Sequence, residues 1–337
     1  LKDARYQRAV CLLALEKHDE MFQAFQSYLK DYPDAAPRTR SNATYWIGWY
    51  YSQKEQSPSK AIECFQQASA SEGDFQTEAL YRLAEAHYAL AQQAEKDKNE
   101  ALARPHRLKA AEVYLELAKQ NRELVRHTSF YAYAAAVFRS ENRFPEAIRM
   151  YELLLEAFPQ DAGLDEVHFY LGELHTKLQP PQWQEALQRY EKVMAYPESK
   201  LRDHALFGKS WALWKLQRPQ EALTGLEKVI ERRTPGIYDL SRYAVGLILY
   251  DQGQLGPAQP HLLYVGLVSR DPDYSPEALY KAGKVSLARK DPGDCVKTWN
   301  FLLKRFPDSL WAGKVREEAA TLPGYQVTAQ DAIKKAP

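Results

Sequence analysis

TSFYAYAAAVFRSENRFPEAIRMYELLLEAFPQD, from Thr128 to Asp161, contains two amphipathic helical patterns joined by a turn. Tyr131, Ala134, Ala135 and Phe138 recur at i, i+3, i+4 and i+7, which is one face of a helix. The turn SENRFP follows; Ala147, Tyr151 and Leu154 then form a second face, and Pro159 ends that helix. An aromatic opens the first helix, and small residues occupy its middle, where the second helix must cross. The pair Ala147-x3-Tyr151 marks the second helix. The stretch therefore predicts a helical hairpin.

The rest of the chain repeats it. Aligned on the small residue that begins the second-helix pair, the units read Met21/Phe25, Ala61/Phe65, Ala110/Tyr114, Ala147/Tyr151, Ala186/Tyr190, Ala222/Leu226, Ala258/Leu262 and Cys295/Trp299. Their spacings are 40, 49, 37, 39, 36, 36 and 37 residues. The first helix of each unit carries a small residue at the crossing: Ala9, Gly48, Ala84, Ala135, Gly172, Ser210, Gly246 and Gly283. In the sixth unit Gly208 is an alternative to Ser210. Pro58, Pro145, Pro181, Pro219, Pro257 and Pro292 fall just before second helices, where a missing N–H costs nothing. Pro33, Pro159, Pro197 and Pro307 follow second helices and stop them; Asp34, Asp161, Ser199 and Ser309 come next and are expected to cap the following helix.

This pattern resembles the tetratricopeptide repeat over about residues 2–322. The resemblance implies an all-α, right-handed α-solenoid of about eight helical hairpins with a C-terminal capping helix. The repeats fall near 2–34, 41–73, 77–124, 128–160, 165–198, 203–234, 239–272 and 276–308, in a single superhelix over 1–323. The cap helix spans 308–322, and 324–337 is expected to be a loose tail. In the third unit the crossing residue and the second-helix anchor lie 26 residues apart, where most units have 12. The extra charged segment, Gln92 to His106, reads either as lengthened helices projecting from the stack, with Pro105 near the start of the second, or as a solvated loop.

The junctions DYPDAAP, AFPQDAG, AYPESK and RFPDSLWAGKV look like those of bacterial cell-envelope repeat proteins of the outer-membrane-assembly lipoprotein and Tol-Pal coordinator type. That likeness implies a periplasmic or membrane-tethered adaptor in envelope assembly, motility, secretion or division, with a cytoplasmic location as the alternative. The chain begins at Leu1 rather than Met, so a native N-terminus, with any signal peptide or lipid anchor, is expected to be missing.

Lys+Arg 45 against Asp+Glu 44 leaves a net charge of +1, which gives no global pull toward nucleic acid. The basic run Arg104, His106, Arg107 and Lys109 is balanced by Glu95, Asp97, Glu100 and Glu112 and reads as a solvated face. No apolar run approaches the ~18 residues of a membrane helix. Cys11, Cys64 and Cys295 are isolated and lack metal-ligand spacing, so buried thiols are expected. His168 and His175 share a helix face but stand about 10.5 Å apart along it, too far to share a metal. They are expected to be hydrogen-bonded packing residues. No phosphate loop, zincin motif or nucleophile elbow occurs. No catalytic site, metal or cofactor is expected, and the partner is expected to be a protein or peptide segment.

In such arrays the concave groove is lined mainly by first helices, at positions three before, one after and four after the crossing residue. These positions give Tyr45 and Trp49, Tyr81 and Tyr88, Phe169, then Phe207, Trp211 and Trp214, then Tyr243 and Tyr250, and finally Tyr280. Aromatics supply rigid contact area at small entropic cost. Lys177 and Lys215 form an expected polar rim. The first-position residues include no lysine, which argues against a clamp for a C-terminal carboxylate. Each aromatic either lines the groove or packs on a neighbouring helix, since a one-residue register change exchanges the faces. The function expected is a non-enzymatic interaction scaffold; a helical accessory domain of a larger enzyme or sensor is the alternative.

Overall fold

The computed structural model describes residues 2–120, 125, 127–269 and 271–319. These residues form seventeen α-helices and no strand. In chain order they pair as α1 (Lys2–Ala14) with α2 (His18–Asp31), α3 (Pro37–Gln53) with α4 (Pro58–Ser69), and α5 (Gln76–Lys96) with α6 (Glu100–Gln120). Then follow α7 (Thr128–Ser140) with α8 (Phe144–Ala157), α9 (Leu164–Lys177) with α10 (Trp183–Met194), and α11 (Arg202–Lys215) with α12 (Pro219–Arg232). The last pairs are α13 (Tyr238–Asp251) with α14 (Leu255–Val268) and α15 (Ser275–Ala288) with α16 (Pro292–Arg305); α17 (Leu310–Ala319) stands alone at the end. The expected residues 320–322 of the cap helix, the tail 324–337 and residues 121–124 of the third repeat lie outside the described residues. The helices gather into two compact units: one holds α1 to α8, the other α10 to α17, and α9 is divided after Val167.

Each hairpin is fastened at the predicted crossing. All eight small residues are buried, as are all sixteen second-helix anchor positions from Met21/Phe25 to Cys295/Trp299. The reason is steric. A Cβ placed at Gly48 would lie 2.9 Å from Cys64 Cβ, and one at Gly246 would lie 2.8 Å from Leu262 Cδ2. In the sixth hairpin both candidate residues cross a helix, though not the same one. Ser210 faces Gly225 of its own partner α12, whereas a Cβ at Gly208 would lie 2.5 Å from Tyr190 Cζ in the preceding α10.

The turn from first to second helix is built alike in seven hairpins. Glu16, Gln56, Lys98, Asn142, Gln217, Gly253 and Lys290 adopt positive φ there. The next N–H then returns to a carbonyl of the last turn, as Arg143 does to Phe138 at 2.8 Å and Arg218 to Leu213 at 2.9 Å. Pro58, Pro145, Pro219 and Pro292 occupy the first or second position of the helix that follows. The aromatic-Pro junctions are equally regular: Tyr32, Phe158 and Phe306 end their helices with φ near −130° (−129°, −132°, −131°) and ψ between 55° and 67°. A residue before proline is barred from the helical region, so the chain leaves the helix there each time.

Two expectations need correction. Of the four post-proline residues, Ser309 alone caps a helix, accepting from Ala312 N at 3.1 Å. Asp161 and Ser199 instead accept from Gly163 N and Leu201 N, two residues on, in tight local turns, and Asp34 pairs with Lys2. Cys11 is exposed, while Cys64 is half-buried and Cys295 buried. The register position of Cys11, two after the crossing, is buried in most later repeats (Ala86, Val137, Leu174, Ala212, Ile248, Val285). Of the two readings of the insertion in the third hairpin, the structure has the lengthened helices and not the loop. α5 and α6 have 21 residues each, with Pro105 the sixth residue of α6. Ala91, Ala94 and Ala103 are buried between them, and Arg104 makes a bidentate pair with Glu141, at 2.6 and 2.8 Å, in the next hairpin.

Candidate partner-binding face

The aromatic positions of the first helices divide into two groups. Five of the aromatics three before a crossing join consecutive repeats. Tyr45 stacks on Phe75, at the start of the next first helix, with centroids 4.6 Å apart and planes at 9°. Tyr81 meets Phe130 at 5.9 Å, Phe169 meets His204 at 6.4 Å, Tyr243 meets Tyr274 at 5.4 Å and Tyr280 meets Trp311 at 5.0 Å. Tyr45 and Tyr243 are only 4% and 8% exposed. The Tyr243 hydroxyl donates to Glu277 at 2.7 Å, and burial, then that bond, raises its pKa. Burial likewise pushes Tyr81 up to about 12. Tyr45 and Tyr243 are therefore joint residues and not open groove contacts. The same spacing from Ala9 marks Tyr6, which the sequence reading passed over; it packs on Phe25 and Tyr28 at 5.8 and 5.6 Å.

Residues one and four after the crossing stay half-exposed. On α11, Trp211 and Trp214 meet edge to face, with centroids 5.1 Å apart and planes at 89°. Phe207 lies 6.0 Å from Trp211. Lys215 is exposed, and its ammonium lies 4.2 Å from the Trp214 ring and 5.3 Å from Trp211. On α13, Tyr250 is covered on one side by Lys281 of α15, 4.8 Å from the ring centre. Lys281 is also held by Glu277 at 3.5 Å and Asp251 at 3.6 Å. All of these aromatics rest on one buried cluster that includes Ala212, Leu213, Ala244 and Ile248. In the other unit, Trp49 lies 4.9 Å from His18 and 6.0 Å from Trp46, and Tyr88 lies 4.8 Å from Tyr133. Lys177 is exposed at the end of α9.

The chemistry of the face is apolar anchoring beside a few cations. His175 is buried, and its Nδ1 lies 2.7 Å from the Gln182 side-chain oxygen, so that nitrogen carries the proton and donates. Among the described residues no group of three or more His, Cys, Asp or Glu could hold a metal ion. No helix of the described residues is long and apolar enough to cross a membrane. In the basic run, Arg107 pairs with Glu95 and Glu100, Lys109 with Glu112, and Arg104 with Glu141.

Known proteins agree with this reading of the fold. The tetratricopeptide-repeat family profile matches residues 3–35, which span α1 and α2. Comparison with curated protein sequences gave no match. Among solved structures, PilW, a widely conserved type IV pilus biogenesis factor, is similar with a TM-score of 0.51 and 14% identity, over 69% of this chain and 98% of that one. Pseudomonas aeruginosa pilF gives 0.47 and 17%, over 71% and 99%. YrrB, a TPR protein with an unusual peptide-binding site, gives 0.46 and 19%, over 61% and 99%. The chain thus has an all-α helical-repeat fold of the tetratricopeptide type.

Proposed function

We propose that the protein is a non-enzymatic scaffold that holds an apolar segment of a partner protein against the first-helix aromatics of α11 and α13. The observation that carries this reading is the Trp211–Trp214 corner. Two large rings stand half-exposed at right angles on a buried core, with Lys215 at their edge. Such rings lose little entropy on binding and supply most of the energy of typical hot spots. Phe207 and Tyr250 extend the apolar surface on either side in sequence. Tetratricopeptide-repeat proteins are generally interaction scaffolds, which supports the class but names no partner. The envelope setting rests on the aromatic-Pro-Asp-Ser junctions, and a pilus factor among the proteins of similar fold is consistent with it.

Affinity capture from a lysate of the source organism, with wild type and Trp211→Ala as baits, tests the reading. Losing a hot-spot ring costs ~2 kcal/mol or more, so recovery of the bound partner should fall with an affinity loss of about thirtyfold. The core under Trp211 is untouched, so the helical circular dichroism should be retained. Equal recovery by both baits, or by the pair Trp211→Ala and Trp214→Ala combined, would move the partner surface elsewhere.

A further inference from the structure

The other compact unit holds a cavity of about 380 Å³ between the end of α4, the first half of α5 and the second half of α6. Leu80, Leu83 and Val113 supply apolar lining beside the polar Gln66, Ser69, Gln76 and Thr77, and His87 also faces it. His87 is 7% exposed, and its Nδ1 is 2.8 Å from Nδ1 of His106. That bond is possible only when one of the two nitrogens carries a proton and the other accepts it, so the pair is locked as it stands. Lys109 and Glu116 stand on the α6 wall, two turns apart.

These two charges are weakly engaged. Lys109 reaches Glu112 only at 3.5 Å, and Glu112 is already bonded to Arg143 at 2.7 Å. Glu116 accepts from the neutral amide of Gln120 at 3.1 Å. Positions i and i+7 of a helix lie about 10.5 Å apart, and an extended chain covers about three residues in that distance. A volume of this size, with a Leu80–Leu83–Val113 apolar patch and one charge of each sign in its lining, matches a short extended peptide.

We propose that this cavity is a second binding site, separate from the α11–α13 face, for an extended peptide segment. The segment carries an acidic and a basic residue about three positions apart, with an apolar side chain between them. The acid meets Lys109, the base meets Glu116, and the apolar side chain rests on Leu80, Leu83 and Val113. Complementary ends impose one direction on the bound segment.

A displayed library of random peptides, selected on the full chain carrying Trp211→Ala and Trp214→Ala, tests this with the other face disabled. Selected peptides should share an acid and a base at that spacing, in one order, around an apolar residue. The double exchange Lys109→Glu with Glu116→Lys, both at exposed positions, should select the reverse order. Leu80→Trp, which fills the cavity, should weaken the selected peptides by about tenfold or more. A library that yields no binders, binders without the charge pair, or binders whose order ignores the exchange would overturn the proposal. So would undiminished binding to a folded Leu80→Trp protein.

Discussion

At the scale of the residue, the hairpins depend on single atoms that are absent. Tyr190 is enclosed by Gly172 of its own repeat and Gly208 of the next, and a Cβ at Gly172 would come within 2.6 Å of its ring. Gly172→Leu should therefore cost at least the ~1–3 kcal/mol of ordinary overpacking, read as a lower urea midpoint. An unchanged midpoint would place the crossing elsewhere. The opposite effect is expected at Gln217, held at φ 60° in the turn before α12. A left-handed conformation strains any Cβ, so Gln217→Gly should raise stability by about 0.5–1 kcal/mol. The crossing residues were legible in the sequence because close backbones leave only small side chains possible. The groove was less so. Tyr45 and Trp49 lie four residues apart on one face of α3, yet one reaches forward to Phe75 and the other stays half-exposed. Only the position of the next repeat separates them, and no local pattern contains it.

At the scale of the element, the third hairpin departs most from the repeat. Its spacing announced an insertion; the run of helix-forming residues between Gln92 and His106 left lengthened helices and a loop both open, and the structure has the helices. The partnership of Arg104 with Glu141 depends on how successive hairpins stack, and that of His87 with His106 on how α5 packs against α6; neither could be read beforehand. The packing of His87 has a pH consequence. Burial, with His106 and Lys109 adding to it, lowers the pKa of His87 to about 4. An unfolded histidine takes up its proton near ~6.5, so between there and pH 4 the unfolded chain binds more protons and stability falls with pH. The contribution of His87 is complete above pH ~6.5, and its loss should reach roughly 2–3 kcal/mol near pH 4. Urea midpoints from pH 7 to 4.5 should decline, and His87→Gln should flatten part of that slope. His261, which burial and then Arg242 also hold at about 4, should supply some of what remains. A slope unaltered by His87→Gln would contradict the assignment.

At the scale of the whole molecule, stability in a repeat array is close to a sum of hairpin terms and nearest-neighbour joints. Tyr45, Tyr81, Phe169, Tyr243 and Tyr280, three before their crossings, form such joints, whereas Trp211, Trp214 and Tyr250, one and four after, are the rings proposed for a partner. That division is the central claim, and it concerns which side of each hairpin is used. Charges are nearly balanced along the chain, so partner capture on the α11–α13 face should weaken only modestly as salt rises. The most direct measurement places a photo-crosslinking side chain at Trp214, at Tyr250 and, as a control, at the exposed Glu227 of α12. Irradiation in cells of the source organism should give the same discrete adduct from positions 214 and 250 and none from 227. Adducts from 227 alone, or none from 214 and 250 while the protein is folded and abundant, would contradict it.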